Sequence, residues 1–357
     1  MEVIVLNTDF ESVILLDTFK SLVWADRYDA YGDFEMTFAM DTALLEFLKE
    51  NYYLWIKESE HCMIIEKIAI DCDVESGNTL TISGRSLESI LDRRIVWDST
   101  TLSGNLQNGI KMLVNNNIIS ASDTRKIENF SFVESTDTSV TELTIDTEYA
   151  DDDMRGEELY FIISKLCKEN NIGFRVVLNE SNKFVFSLYA GVDRSFRQSE
   201  NPYVIFSSSF DNVLNCNYYR SVEKLKNAAL VVGEKYSSSG SSTSLTSTIT
   251  DGSPTGLDRR EIYINATNVS NTTDLQSEGK KTLAENKMIT AFEGEINIEQ
   301  PFKYGQDFFI GDIVQITDDY GNESSVRITE IVMSEENGFV SVTPTFEQVV
   351  DLEVNEE

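Results

Sequence analysis

The segment from Phe34 to Met40 constrains the fold more than any other. Phe34, Met36, Phe38 and Met40 are apolar and alternate with Glu35, Thr37 and Ala39. Side chains along a strand point to opposite faces in turn, so this spacing predicts a strand with one face on a core and a mixed face outward. Further strand-like runs follow at YYLWIK, CMIIEKIAI and NTLTISG, with a turn at Glu75-Ser-Gly-Asn78. Asp41 is placed to cap a short helix carrying Leu44, Leu45 and Leu48, and SLESILDRR puts Leu87, Ile90 and Leu91 on one helical face. Residues 1–98 therefore read as one β-rich unit.

The texture then changes. Leu106, Ile110, Leu113 and Val114 have helical spacing, and a polar stretch from Glu134 to Asp153 follows. GEELYFIISKLCKENN predicts a helix with Leu159, Ile162, Ile163 and Leu166 inward, ended by Asn171 and Gly173. FRVVL and KFVFSLY flank a turn at Asn179 to Asn182, which makes a hairpin. Residues 99–202 are expected to be an α+β middle domain. From Pro202 strands return in YVIF, NAALVVGEKY, REIYIN, EGEINI, FFIGDIVQIT, SSVRITEIVM and FVSVTPTF, so 203–350 reads as a second β domain. Within it, 237–256 is almost free of core-forming residues and reads as a flexible loop, and 351–357 as an acidic tail. A length of 357 residues agrees with two or three domains at roughly 150 residues each.

One internal echo joins the two β-rich parts. Ile65-x-x-Ile68, Gly77, Leu80 and Ile82 match Ile328-x-x-Ile331, Gly338, Val340 and Val342, each after an apolar strand. Two like β units, one near each end, is the architecture this pattern suggests.

Charge and chemistry narrow the function classes. With 29 basic and 61 acidic residues, the formal charge of −32 repels phosphate backbones and anionic membranes. The N-terminal MEVIVLNTDFES lacks the basic and apolar regions of an export signal, and no apolar run approaches the 18 or so residues that span a bilayer. Four cysteines, at 62, 72, 167 and 216, are too dispersed for a zinc knuckle and read as free, mostly buried thiols. The single histidine, His61, reads as a polar residue at a strand start. Asp71-x-Asp73-x-Glu75 fails the calcium-loop pattern, because the glycine falls at Gly77 and position twelve is Ile82. Asp151, Asp152 and Asp153 read as acids favouring a helix N-terminus. No G-x-S-x-G, P-loop, G-x-G-x-x-G or H-E-x-x-H occurs, so the chain is expected to be no enzyme and to need no cofactor or metal.

The stretch WADRYDAYGDFEM combines Trp24 and Arg27 with Asp26, Asp29 and Asp33, residue types that anchor interfaces or brace a fold. Trp24, Arg27 and Gly32-Asp33-Phe34-Glu35, then Ser83-Gly84-Arg85-Ser86-Leu87 with Arg93-Arg94, then Gly311-Asp312-Ile313-Val314 and Arg327-Ile328-Thr329-Glu330-Ile331 resemble the phage tail-hub family. That family covers siphovirus tail proteins, the N-terminal region of tail-associated proteins and the hub of contractile-phage baseplates. The resemblance spans nearly the whole chain and marks Trp24, Arg27, Asp33, Arg85, Arg94, Asp312 and Arg327 as interface or fold-bracing residues.

The resemblance implies a mainly β chain with an α+β insert and two small β-barrels of tail-tube or hub type. It also implies a homotrimer whose six barrels form a ring with pseudo-six-fold symmetry. Such a ring would join the hexameric tail tube or distal tail ring to a three-fold tip and leave an acidic channel for DNA. The partners expected are a distal tail or tail tube protein, a tape-measure protein and a separate tip, spike or receptor-binding protein. The place expected is the distal end of the virion tail, after synthesis in the bacterial cytoplasm. Larger relatives continue into hydrolase, fibre or carbohydrate-binding regions, so lysis and receptor recognition are expected of other proteins. The alternative is a cell-wall polymer hydrolase, or a carbohydrate-binding tip component using Trp55 or Trp97.

Overall fold

A computed structural model describes residues 1–357 except 74–76, 146–148, 150–152, 237–241, 267–271, 297–301, 318–319, 321–322, 350–353 and 357. The chain divides into two compact units. One comprises Met1–Ile145, Asp153–Asn217 and Phe292–Glu347, the other Asp146–Asp152, Tyr218–Ala291 and Gln348–Glu357. These limits differ from breaks near residues 98 and 202, because segments far apart in sequence share the sheet of the larger unit.

Strands β1 (Val3–Leu6), β2 (Ser12–Leu16), β3 (Ser21–Arg27), β4 (Asp33–Ala39), β5 (Tyr53–Trp55), β6 (Met63–Asp71) and β7 (Thr79–Ser86) pair in the order β3-β4-β7-β6-β5-β1-β2, antiparallel throughout. The alternation read from Phe34 is realised: Phe34, Met36 and Phe38 are buried while Glu35 and Ala39 are exposed. The two expected helices of this region are tight 3₁₀ helices, of three residues at Leu44–Glu46 and seven at Leu87–Arg93. Leu48, Leu87, Ile90 and Leu91 are nevertheless buried, as their spacing required.

Helix α1 (Leu106–Val114), strand β8 (Phe130–Val133), helix α2 (Leu159–Glu169) and strands β9 (Gly173–Leu178) and β10 (Phe184–Tyr189) follow. The three strands form their own sheet, β8-β10-β9, with β9 and β10 the expected hairpin. Asn171 ends α2 at φ 54°, the left-handed conformation that asparagine tolerates best after glycine. Asp153 accepts from the Thr100 and Arg155 amides and so ties a loop, well before α2 begins; Asp151 and Asp152 lie outside the described residues.

Strands β11 (Ile205–Ser207) and β12 (Val213–Ser221) return to the large sheet. The smaller unit holds β13 (Ala228–Tyr236), β14 (Ser242–Asp251), β15 (Glu261–Ala266) and helix α3 (Thr272–Glu285). The flexible loop expected at 237–256 is thus largely strand β14, antiparallel to all of β13. Its serines and threonines suit a half-exposed strand, and Leu245 and Ile249, four apart, both reach the apolar cluster of Ala229, Val231, Leu275 and Leu283. Helix α3 has no counterpart in the strand-only reading; its core contacts, Leu275 and Leu283, are separated by two turns with Gly279 between them. The acidic tail supplies β20 (Val354–Glu356), paired with β14.

Strands β16 (Ile289–Ile296), β17 (Ile313–Thr317), β18 (Glu323–Glu336) and β19 (Phe339–Gln348) complete the large sheet, which runs β12-β16-β19-β18-β3 and on through the N-terminal strands. The residues of the internal echo lie on or between β6 and β7 and on or between β18 and β19, two strand pairs of one sheet separated by β3 and β4. Of the three described thiols, Cys62 and Cys167 are buried and Cys72 is exposed.

One irregularity positions a functional side chain. The β6–β7 register slips between Ile65 and Lys67, so Glu66 is an extra residue opposite Gly84. A bulge re-aims the side chain it carries, and Glu66 accepts two hydrogen bonds from Arg85, at 2.7 and 3.0 Å. Gly84 makes room for it: a Cβ there would lie 1.8 Å from the Ile64 carbonyl oxygen. Gly84→Ala is expected to destabilise the chain by about 3 kcal/mol or more through overpacking, measured as a lowered denaturation midpoint.

Candidate structural joint

Strand β3 ends in Asp26 and Arg27 and is followed directly by Tyr28, and all three reach residues about 300 positions away in the larger unit. Its partner in one direction is β18, with Arg27 opposite Glu330 and Trp24 opposite Met333. Trp24 is fully buried against Phe34, and its Nε1 donates to Asp26 Oδ1 at 3.0 Å. Asp26, also fully buried, accepts from Ser59 Oγ at 2.7 Å and from the Tyr304 hydroxyl at 2.8 Å. A carboxylate with three donors is a satisfied buried group, and here the donors come from positions 24, 59 and 304.

Arg27 Nε donates to Glu330 at 2.5 Å, and its Nη1 donates to the Tyr31 carbonyl and pairs with Asp33. Arg85 bonds Glu66 and Asp92 and lies 4.9 Å from the Tyr31 ring. Arg327 Nη1 donates to the Gly311 carbonyl at 2.7 Å and to the Tyr28 hydroxyl at 3.2 Å, with its guanidinium 5.0 Å over that ring. Asp312 is buried; it accepts from Arg194 Nε at 2.7 Å and from the Val192 and Phe309 amides. Trp24, Arg27, Asp33, Asp312 and Arg327 therefore converge on one seam, and Arg85 braces the adjoining bulge. Arg94 stands apart from the seam, beside Arg93 and Arg125.

Sequence reasoning passed over several members. Tyr28 is packed so tightly that a Cβ on Gly173 or Gly311 would come within 2.5 or 2.4 Å of its ring. Its hydroxyl faces the Asn171 carbonyl, so one side chain ties β3, the start of β9 and the Gly311 turn. Arg194 supplies the counter-ion of Asp312, and Tyr304 supplies a neutral hydroxyl donor to Asp26.

His61 is more than a polar strand end. It is buried, and its Nδ1 lies 3.0 Å from Glu88 Oε1, which also accepts from the Val176 amide at 2.8 Å. Burial pulls the imidazole down, yet the facing Glu88 and Asp26 carboxylates outweigh it and hold the pKa raised to about 9. For Glu88, burial pushes upward, but His61 and the donors around it hold the carboxyl below its ordinary range. Glu88 thus links the turn after β7 to His61, just before β6, and through the Val176 amide to β9, and nothing in the spacing of positions 61, 88 and 176 announces it.

Beside the seam lies a cavity of about 260 Å³, lined by His61, Arg175, Tyr189, Tyr304 and Asp312 among others. Each of the ionised groups just described is already paired within the chain, so the arrangement holds segments together. Among the described residues no group of three His, Cys, Asp or Glu side chains is placed to hold a metal ion, and no helix is long and apolar enough to cross a membrane.

The fold is that of solved phage tail proteins. The chain superposes on the 43 kDa tail protein of prophage MuSo2 from Shewanella oneidensis with a TM-score of 0.63, 14% identity and 98% of both chains covered. The prophage tail protein gp18 from Listeria monocytogenes EGD-e gives 0.58 at 13% identity, covering 98% of this chain and 96% of that one. A tail protein from Neisseria meningitidis MC58 gives 0.58 at 12%, covering 97% and 96%. No curated protein matches the sequence. The family is shown by sequence: residues 2–346 match the Siphovirus ReqiPepy6 Gp37-like protein family, and the chain belongs to it. It is a structural protein of the phage tail or baseplate type.

Two expected outcomes follow from the seam, and a third serves as a surface control. The raised His61 pKa means the folded state keeps a proton that the unfolded state releases above its ordinary 6.5, so this contribution is complete below about pH 6.5 and lost as pH rises to about 9. The loss is on the order of 3 kcal/mol, and His61→Gln should flatten the corresponding fall in thermal midpoint. Arg194→Ala leaves Asp312 buried without its counter-ion and should cost about 3 kcal/mol by denaturant titration. Lys111→Ala, which breaks an exposed pair with Glu134, should cost under about 1 kcal/mol.

Proposed function

We propose that this tail protein is a hub: a homotrimer whose chains each contribute two like β-barrels to a ring with pseudo-six-fold symmetry. The observation that carries this reading is the pairing of β3 with β18. It places the two echoing strand pairs, β6-β7 and β18-β19, in one continuous sheet within one chain. A chain with two similar β units is what a three-fold object needs to meet a six-fold tube. The likeness to phage tail proteins over nearly the full length of both chains supports the same reading.

In this role the chain works as a joint between a hexameric tail tube or distal tail ring and a three-fold tip, at the distal end of the tail. It contacts a tape-measure protein and a separate tip, spike or receptor-binding protein. With 61 acids against 29 bases, a lumen lined by part of this surplus lets DNA pass without gripping its phosphates. The residues of the seam are fold-bracing: Trp24, Arg27, Asp33, Asp312 and Arg327 hold the halves of the sheet at a fixed angle, and Arg85 holds the bulge.

Sedimentation velocity on the isolated chain tests the reading. The charge of −32 per chain opposes association at low salt, so the trimer is expected to strengthen from 0.05 to about 0.3 M salt as the Debye length shrinks. A species that stays monomeric at every salt and concentration would overturn the homotrimer.

A further inference from the structure

Arg94, outside the seam, belongs to a second cluster. Arg93, Arg94 and Arg125 surround a groove of about 380 Å³ together with Ile95 and Trp97, which are 40% and 55% exposed. The groove is built on a buried amide. Asn117, 2% exposed, accepts from the Trp97 amide at 3.1 Å and from Arg125 Nη2 at 3.2 Å through the same Oδ1, and its Nδ2 donates to the Leu113 carbonyl. Asn117 sits in a widened turn after α1, where the Ser120 amide donates to the Asn115 carbonyl five residues back. Such turns recur at functional sites because they re-aim side chains that a regular helix would point elsewhere.

The arginines are held by neutral groups. Arg125 Nη2 also donates to the Ile95 carbonyl, and its guanidinium stacks 4.7 Å from the Trp97 ring. Arg94 Nε donates to the Arg125 carbonyl and Nη1 to the Arg93 carbonyl. Among the described residues the one carboxylate paired with this cluster is Glu66, 3.7 Å from Arg93 and already taken twice by Arg85. Arg94 Nη2 and Arg125 Nε and Nη1 make no hydrogen bond among the described residues, so planar donors remain available. Burial and the two neighbouring guanidiniums depress Arg94 from the ordinary arginine range, a repulsion that an incoming anion relieves.

Carboxylates and phosphates both match a guanidinium fork. Two features favour the carboxylate. Ile95 and Trp97 offer an apolar surface beside the cations, which suits a peptide carrying acids and an aliphatic side chain. A polyphosphate chain, by contrast, would extend from the groove across a protein surface with a surplus of 32 negative charges. A short peptide feels that surplus only within a Debye length of about 8 Å at physiological salt.

We propose that Arg93, Arg94 and Arg125, with Ile95 and Trp97, form a binding site for an acidic peptide segment of a partner tail protein. The inference rests on the tail-component reading only for the source of that segment. Binding is measured on the isolated full chain, so it succeeds or fails independently of trimer formation.

The probe is a fluorescein-labelled acidic peptide of sequence EELEDE, followed by anisotropy at about 0.1 M salt. Saturable binding is expected, weakened at least about tenfold in Arg94→Ala/Arg125→Ala and unchanged in Lys57→Ala, an exposed cation elsewhere. Arg94→Lys/Arg125→Lys keeps the charge and loses the fork, and is expected to weaken binding by a smaller factor, which serves if the alanine pair does not fold. Trp97→Phe should abolish the peptide-induced change in tryptophan emission. No saturable binding to the folded wild type, full binding by the arginine variants, or displacement of the peptide by a single-stranded oligothymidylate of equal charge would each overturn the proposal.

Discussion

The antiparallel pairing of β3 with β18 is the constraint on which the rest of the larger unit depends. Seven register pairs, from Ser21 with Glu336 to Arg27 with Glu330, join strands about 300 residues apart in sequence. Closing so long a loop costs configurational entropy that only many simultaneous contacts recover. The recovery is concentrated where β3 ends. Trp24 and Asp26 are buried, Arg27 reaches Glu330, and Tyr28 meets Arg327. A short stretch near the N-terminus thus acts as the meeting point of the chain.

The polar character of that meeting point has a physical logic. An apolar contact tolerates sliding, whereas a buried carboxylate with three donors, such as Asp26, is satisfied in one arrangement only. The same holds for Asp312, which accepts from Arg194 and from the Val192 and Phe309 amides. Ion pairs of this kind add little net stability and lose much when one partner is removed, so they fix geometry more than they lower energy. Tyr28 adds a steric lock, since Gly173 and Gly311 have no room for a side chain beside its ring. Fixed geometry suits a structural protein of the tail.

Much of the strand content was legible because alternation is a local signal. Phe34, Met36 and Phe38 could be read inward without any knowledge of the core they meet. The helices at Leu106–Val114 and Leu159–Glu169 were legible for the same reason, at a different period. Strand β14 and helix α3 were not, because serine, threonine and lysine dominate them and only Leu245, Ile249, Leu275 and Leu283 mark their inner faces. The individual seam residues Trp24, Arg27, Asp312 and Arg327 stood out by type, but their convergence is a property of the β3–β18 pairing. Tyr28, Glu88 and Arg194 are ordinary in sequence and matter only through partners more than a hundred positions away or on other elements. The sequence boundaries at 98 and 202 missed the two-unit division for the same reason: sheet continuity is not written into any one segment.

Family membership and fold place this chain among structural tail proteins, and the seam explains how one such chain keeps two strand systems in a fixed relation. An electron-microscopy map of the assembled tail tip tests the central claim most directly. The account predicts a ring of three chains in which each contributes two barrels, with β3 and β18 paired inside every chain and acidic side chains facing the lumen. A tail tip in which this chain forms no three-fold ring, or in which β18 pairs with a neighbour's strand instead of its own β3, would contradict it.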